Sequence, residues 1–140
     1  MCTVIPITGE QTLPLRQKVL WPNLEVSDLA LTEDGTALHL GLFHDGDLVG
    51  VGSFFPDGDR YRLRKMAVDP ALQGRGFGAR LVTEGMELLA QQGVRELYCD
   101  IRVSATSFYQ RLGFEITGAK FDKNGVTYRK ASRPLYTGAI

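Results

Sequence analysis

Cysteine is scarce in this sequence of 140 residues: only Cys2 and Cys99 are present, and neither belongs to a C-x-x-C pair. Two cysteines are too few for a disulfide scaffold, so we expect both to be reduced thiols in a cytoplasmic protein. Long apolar runs are missing as well, and charged residues and prolines interrupt the first twenty residues. The sequence therefore predicts neither a membrane-spanning helix nor a signal peptide.

An excess of either charge is also lacking, since 16 Lys and Arg residues balance 16 Asp and Glu residues. This balance argues against a broad electrostatic surface for nucleic acid or for an anionic membrane. Glycine, by contrast, is abundant: it accounts for 16 of 140 residues, against a usual share of about 7%. The length is that of one ordinary domain, and we expect residues 1–140 to form one.

The hydrophobic periodicity changes along the chain and predicts a mixed α/β domain with one central sheet. A helix is expected over residues 12–20, with Pro14 in its first turn. Asp-Gly and Asn-Gly pairs mark turns between strands. The predicted strands cover residues 37–44, 47–55, 60–68 and 94–101, one that begins at 114 and one over 126–130; the other predicted helices cover residues 77–92 and 104–112.

Three alternate glycines, Gly74, Gly76 and Gly78, lie between the strand at 60–68 and the next helix. Without Cβ atoms they let backbone N–H groups approach an anion closely, and the helix N-terminus adds unpaired donors, so a phosphate or pyrophosphate is the expected occupant. No Walker A tripeptide follows, and Leu81 stands where a dinucleotide fingerprint needs its third glycine. The alternative is that these glycines only make a tight turn.

A second segment, residues 105–114, places Tyr109 on a short helix that ends at Gly113. This position puts a phenol near the end of a strand–helix pair. In the simpler alternative, Phe108 and Leu112 are core residues four apart, and Tyr109 is a surface aromatic.

In this order, about thirty residues apart, the two segments resemble the two signature motifs of the GNAT superfamily of N-acetyltransferases. Residues 73–78, Gln-Gly-Arg-Gly-Phe-Gly, are similar to its Gln/Arg-x-x-Gly-x-Gly/Ala acetyl-CoA loop. Residues 105–114 are similar to its second motif, tyrosine included. Residues 16–22 resemble the Arg-x-x-Val-Leu-Arg-Pro signature of one bacterial branch, with Trp21 in place of the second arginine. The resemblance spans about residues 12–130.

The resemblance implies a GNAT-like mixed sheet, with an N-terminal antiparallel meander, then splayed parallel strands, and flanking helices. Acetyl-CoA would lie between the strands at 60–68 and 94–101. Tyr109 would be the general acid that protonates the leaving thiolate. No metal is expected. The implied cofactor-binding residues are Met66, Ala67, Val68, Gln73, Gly74, Arg75, Gly76, Phe77, Gly78, Ala79 and Arg111.

The implied activity is transfer of an acetyl group from acetyl-CoA to a primary amine, and the small chain favours a small-molecule acceptor. Three alternatives stay open: a protein-amine acetyltransferase, a non-catalytic acyl-CoA-binding or sensing domain, and a phosphate-ligand module unrelated to CoA. Similar proteins are often dimers, and Trp21 or residues 135–136 are candidates for a homodimer interface.

The general base has no assignment, because the strand at 60–68 contains no glutamate. The nearest carboxylates by sequence are Asp57, Asp59 and Asp100. Arg102 stands where many family members have asparagine, which either removes a coenzyme contact or puts a cation near the acceptor.

Arg60, Arg62 and Arg64 alternate along one strand and are expected to share one face. That face is either a solvated sheet surface or a site for an acceptor that carries a carboxylate or phosphate. His39 and His44 have no partner spacing that suggests a metal site. Cys99 is expected to be a buried small residue rather than a nucleophile.

Overall fold

A mixed sheet of seven strands forms the centre of the fold, which the computed structural model describes over residues 1–135. Three α-helices accompany the sheet: α1 (Gly9–Leu15), α2 (Phe77–Gln91) and α3 (Thr106–Arg111). The strands are β1 (Cys2–Ile7), β2 (Leu38–His44), β3 (Asp47–Asp57), β4 (Arg60–Val68), β5 (Glu96–Arg102), β6 (Glu115–Lys123) and β7 (Val126–Pro134). They lie in the order β1-β2-β3-β4-β5-β7-β6, which confirms the predicted mixed α/β class.

Strand β1 lies at one edge of the sheet, and the sequence analysis did not predict it. It pairs antiparallel with β2, from Cys2 opposite His44 to Ile7 opposite His39. Pro6 has no N–H to donate to a partner, so it is tolerated at a sheet edge. Six residues that include a proline give only a weak strand signal, which is why the pattern was missed.

The first helix begins earlier than predicted. Thr8 caps it: the Gln11 N–H donates to Thr8 Oγ1 at 3.2 Å, and the Gln11 side chain accepts from the Thr8 N–H at 2.8 Å. Pro14 therefore lies inside α1 rather than in its first turn. Proline cannot donate the hydrogen bond that an α-helix requires at this position, and the chain continues as a π-helix over Arg16–Leu20.

Helix α2 covers one face of the sheet and approaches it very closely. Its buried side chains include those of Leu81, Val82 and Leu89, which pack in the main core. A Cβ atom at Gly85 would overlap the ring of Phe54 on β3. The absence of a side chain at this position is thus what lets the helix lie against the strand. On the other face, Leu15 packs against Val51 and Ala67.

Strands β4 and β5 start as a parallel pair and then separate. Only Tyr61 opposite Leu97 and Arg62 opposite Tyr98 are paired. Beyond them β4 continues along β3 to Val68, while β5 continues along β7. The strands therefore splay, as predicted, and a wedge-shaped gap opens between them.

A buried ion pair fixes the segment that follows α1 to the sheet. Arg16 is 1% exposed and donates from Nη1 and Nη2 to the two carboxylate oxygens of Asp34, at 2.9 and 3.0 Å. It also donates to the Leu29 carbonyl and to Ser53 Oγ, each at 3.1 Å. The Leu31 N–H donates to Asp34 Oδ2 at 2.8 Å. The π-helix, the loop after it and β3 thus share one polar network.

His39 belongs to the same network. Its Nε2 donates to the Asp34 carbonyl at 2.8 Å, and its Nδ1 lies 2.7 Å from Ser53 Oγ. Both ring nitrogens are therefore engaged within the protein. His44 contacts the Phe77 ring at a centroid distance of 5.4 Å.

No helix within residues 1–135 is long and apolar enough to cross a membrane. Of the candidate dimer residues, Trp21 is 46% exposed and Leu135 is buried. Tyr136 lies outside the described residues.

The Arg16–Asp34 pair should make the free energy of unfolding depend on pH in the acidic range. Burial alone would raise the pKa of Asp34, but hydrogen bonds from Arg16 and Leu31 and the Arg16 charge hold it below its usual value. As the pH falls, the unfolded chain therefore binds this proton before the folded one, so the contribution is present above about pH 4 and lost below it. Asp34→Asn should lower the free energy of unfolding at neutral pH by about 3–5 kcal/mol, because it leaves a buried guanidinium without its carboxylate.

Urea unfolding of both proteins at neutral pH and at pH values below 4 measures this effect. The variant should lose less additional stability in acid than the wild type. An equal acid loss in both proteins would show that Asp34 is not the group responsible.

Candidate functional site

A cavity of about 710 Å³ lies between β4, the loop after it, the start of α2, and α3. Its volume is in the range usual for small-molecule sites. The lining residues come from three segments that are distant in sequence, and most of them are apolar or glycine. They are Val19, Met66, Val68, Leu72, Gln73, Gly74, Gly76, Phe77, Gly78, Ala79, Ala105, Phe108, Tyr109, Arg111 and Leu112.

The glycine loop forms one wall of this cavity. Gly74 and Gly76 have φ angles of 84° and 82°, which a residue with a side chain rarely adopts. Helix α2 begins at Phe77, and no side chain caps its N-terminus. The first N–H groups of a helix have no partner within it, so uncapped donors and the positive end of the helix dipole lie at the cavity wall.

A bulge in β4 forms the opposite wall. Lys65 has a φ of 58°, in the left-handed region, which costs about 1–2 kcal/mol for a residue that is not glycine. Val51 is opposite Ala67 and Ser53 is opposite Arg64, so two residues of β4 face Gly52 alone. The extra residue shifts the alternation of the strand by one position.

As a result, Met66 and Val68 line the cavity after the bulge, whereas Tyr61 and Leu63 pack on that same face before it. Ala67 points to the α1 side and packs against Leu15 and Val51. Its side chain is therefore not part of the wall, although the sequence analysis had grouped it with Met66 and Val68.

Tyr109 is the polar side chain buried most deeply in the wall, at 8% exposure. Its ring packs edge-on against Phe108 and Phe114, at centroid distances of 4.9 and 5.4 Å. The alternative prediction is therefore wrong for Tyr109, which is buried, whereas Phe108 and Leu112 do pack against the main core, half-buried, and also line the cavity. Within residues 1–135 no protein group hydrogen-bonds to the Tyr109 hydroxyl.

Burial controls the acidity of the groups at this end of β5. It raises the pKa of the Tyr109 phenol, and Cys99 adds to the shift. Burial, with Asp100 nearby, also raises the pKa of the Cys99 thiol to about 12. Both groups are thus protonated at neutral pH, and Cys99 is not a nucleophile there.

Charged side chains are sparse around the cavity. Arg111 lies on its wall, whereas the predicted Arg75 is exposed and lies outside it. No carboxylate is among the residues of 1–135 that line it. Of the suggested bases, Asp57 accepts a hydrogen bond from the Tyr98 hydroxyl, and Asp100 accepts hydrogen bonds from Arg62 and Lys130. Arg102 and Asp59 are exposed and do not line the cavity.

The three alternating arginines of β4 already have partners. The Arg60 guanidinium lies 3.9 Å from the centre of the Tyr98 ring. Arg62 Nη2 lies 2.9 Å from Asp100 Oδ2, and Arg64 Nη1 lies 3.5 Å from Glu33 Oε2. These contacts favour the sheet-surface alternative for the arginines.

Several lining residues were missed by the sequence analysis as parts of a site. Val19 enters the wall from the π-helix, and Leu72 from a short 3₁₀ turn after β4. Ala105 lies just before α3. Apolar residues of this kind carry no chemical signal in a sequence, because a core position and a cavity position have the same pattern.

The sequence resembles known acetyltransferases. The profile of the Acetyltransferase (GNAT) family matches residues 9–114. The uncharacterized N-acetyltransferase YitI of Bacillus subtilis (strain 168) is 30% identical over 135 residues, which cover 90% of this chain and 91% of that protein.

Solved structures share the fold. The ribosomal-protein-S18-alanine N-acetyltransferase from Escherichia coli superposes with a TM-score of 0.81 at 19% identity, covering 99% of this chain and 97% of its own. A GNAT family acetyltransferase from Elizabethkingia anophelis with acetyl-CoA bound superposes with a TM-score of 0.74 at 20% identity, covering 96% and 98%.

The buried phenol should ionise only in strong alkali. Since the folded state raises the pKa of Tyr109, the unfolded chain releases this proton first, and stability should fall as the pH rises above about 10. The difference in phenolate absorbance between wild type and Tyr109→Phe isolates this residue from the other four tyrosines. That difference should be absent at pH 10 and appear only above it. A full difference signal below pH 10 would contradict the described burial.

Proposed function

The chain belongs to the Acetyltransferase (GNAT) family, and from this membership we propose that it transfers an acetyl group from acetyl-CoA to a primary amine. One observation carries the proposal: a buried phenol and the uncapped, glycine-rich N-terminus of α2 line the same cavity. The first is a proton donor, and the second is a ready anion site. A substrate that joins a diphosphate to a thioester needs both.

The residues around the cavity fit acetyl-CoA. Backbone N–H groups from Gly76 to Ala79 would hold the diphosphate, assisted by Arg111 and by the exposed Arg75. Met66 and Val68 lie on the edge of β4 that β5 has left, where free backbone groups would bind the pantetheine arm as a further strand does. Gln73 is held in place, since its Nε2 donates to the Val68 carbonyl at 3.1 Å.

Acetyl-CoA supplies the acetyl group as a thioester, and the chain supplies binding and a proton. Tyr109 donates its phenol proton to the sulfur as the carbon–sulfur bond breaks and the new carbon–nitrogen bond forms. The nitrogen loses one proton to water, and a proton from water restores the phenol. Because no carboxylate within residues 1–135 lines the cavity, the amine reacts from its neutral form. The raised pKa of Tyr109 means that its phenol is protonated at neutral pH.

The acceptor is proposed to be a small molecule. The cavity of about 710 Å³ has a volume usual for small-molecule sites, and this favours a compact amine. A protein amine is the second candidate, because a similar structure is a ribosomal-protein-S18-alanine N-acetyltransferase. A non-catalytic acyl-CoA sensor has less support. No protein group within residues 1–135 forms a hydrogen bond with the buried Tyr109 hydroxyl, and a sensor does not require such a free proton donor.

Tyr109→Phe should lower kcat by about 10²–10⁴-fold with little change in acetyl-CoA affinity, because the substitution removes only the proton donor. Release of free thiol over a panel of amines measures kcat. Tyr98→Phe is the matched control: it also removes the hydroxyl of a tyrosine with a buried ring, but at the paired end of β4 and β5. Wild-type turnover of Tyr109→Phe across the pH range would exclude the assignment.

Gly76→Ala should weaken acetyl-CoA binding about tenfold or more, because it disturbs the backbone donors at the start of α2. Gly46→Ala is its control: Gly46 has a φ of 91° in the β2–β3 turn, and a Cβ at either glycine meets no atom within 4 Å. Both variants should lose about 1–2 kcal/mol of stability.

Thermal shifts with acetyl-CoA, ATP and NAD measure the binding, since ligand at 100 times Kd adds about 2.7 kcal/mol of stability. Only acetyl-CoA should stabilise the wild type, and only Gly76→Ala should lose that shift. Equal shifts in the two variants would place the diphosphate elsewhere.

A further inference from the structure

Lys65 occupies a backbone position that glycine would fill at lower cost. Its φ of 58° lies in the left-handed region, where a side chain clashes with the backbone. Strained residues of this kind cluster at binding and catalytic sites. The fold by itself therefore does not explain why this position holds a lysine rather than a glycine.

Over residues 1–135 the ammonium group of Lys65 has no anionic partner. Within residues 1–135 its Nζ makes no hydrogen bond and no ion pair, although the side chain is only partly exposed. Burial lowers the pKa of Lys65, and the charges of Arg64, Arg16, Lys123 and Arg62 lower it further. Cations of β4, the π-helix and β6 are thus near enough to act on this group.

The carboxylates near these cations are already occupied. Asp100 accepts hydrogen bonds from Arg62 at 2.9 Å and from Lys130 at 3.1 Å, and Lys123 Nζ lies 3.9 Å from it. Three cations thus share one carboxylate. Glu33 lies 3.5 Å from Arg64. An excess of positive charge therefore remains at Lys65, although the chain as a whole has a net charge of zero.

Lys65 also lies beside the reaction site. It directly precedes Met66 of the cavity wall. It also lies three residues after Arg62, which is the last residue of β4 that pairs with β5. A molecule in the gap between β4 and β5 would therefore meet the ammonium group on one side and the cavity on the other.

We propose that Lys65 binds a carboxylate of the acceptor, so that the acceptor is a small amino carboxylate rather than a simple amine. The proposal rests on the acetyltransferase function above and names the substrate class of that site. The carboxylate supplies the missing partner for Lys65, and the excess charge from its neighbours strengthens the contact. The amine at the other end of the molecule then enters the gap toward the acetyl group.

The test compares amino carboxylates with their own primary amides: glycine, β-alanine, γ-aminobutyrate and δ-aminovalerate, each against the amide of the same length. Only the anionic group differs within a pair, and in the longer pairs the amine has nearly the same basicity. Thiol release gives kcat and KM for each compound. The wild type should prefer at least one carboxylate over its amide.

Lys65→Met and Lys65→Gly should reduce kcat/KM for the preferred carboxylate by about 10- to 100-fold. The loss should lie in KM, because the contact binds ground state and transition state alike. Activity with the amides should not change, and Lys65→Arg should retain most of the preference. Lys65→Gly should melt no lower than the wild type, since glycine relieves the strained φ, so unfolding would not explain its loss. Lys120→Met, at an exposed lysine on β6, is the control and should behave as the wild type.

Equal rates with carboxylates and amides, acetylation of peptide N-termini alone, or an equal loss on both kinds of acceptor in the Lys65 variants would overturn the inference. So would acetylation of other amines without acetylation of any amino carboxylate, and the proposed function would then stand with those amines as acceptors. Absence of thiol release with every amine would instead overturn the proposed function itself, whether or not acetyl-CoA binds.

Discussion

The separation of β4 from β5 after two paired residues is the constraint on which the rest of the structure depends. A strand edge without a partner carries N–H and C=O groups that need hydrogen bonds. In most sheets a neighbouring strand supplies them. Here the edge of β4 faces a gap, and the cavity, the bulge at Lys65 and the start of α2 all lie along it. A ligand with an extended, polar chain is the natural occupant of such an edge.

The gap persists because the elements around it are held elsewhere. Strand β7 lies between β5 and β6 and pairs with β5 over seven residue pairs, so β5 follows β7 rather than β4. Helix α2 is fixed to β3 by the close contact at Gly85. On the other face, the buried Arg16–Asp34 pair anchors the π-helix that brings Val19 to the cavity. A buried charge pair costs desolvation energy, but it allows one geometry only, which suits a segment that must form a wall.

Charged side chains are distributed unevenly between the two faces of the sheet near the gap, although the net charge of the chain is zero. The cavity wall is apolar, and burial keeps the Tyr109 phenol in it neutral. The α1 side of the sheet near the gap collects Arg62, Arg64, Lys65, Lys123 and Lys130 around few carboxylates. The two sides thus suit the two parts of the proposed reaction: acyl transfer on one side, and recognition of an acceptor carboxylate on the other.

Local patterns in the sequence determined much of this protein: the meander marked by Asp-Gly turns, the bounds of β4, the glycines before α2, the tyrosine of the second segment, and through these two segments the family. Each of them depends on neighbouring residues alone. Tertiary structure decided what depends on distant ones. It made Tyr109 a buried residue, it paired the arginines of β4 with Glu33, Tyr98 and Asp100, and it added β1 and the π-helix. Above all, it gave Lys65 a left-handed backbone, because a bulge arises from the register between two strands, and no single strand's sequence contains that register.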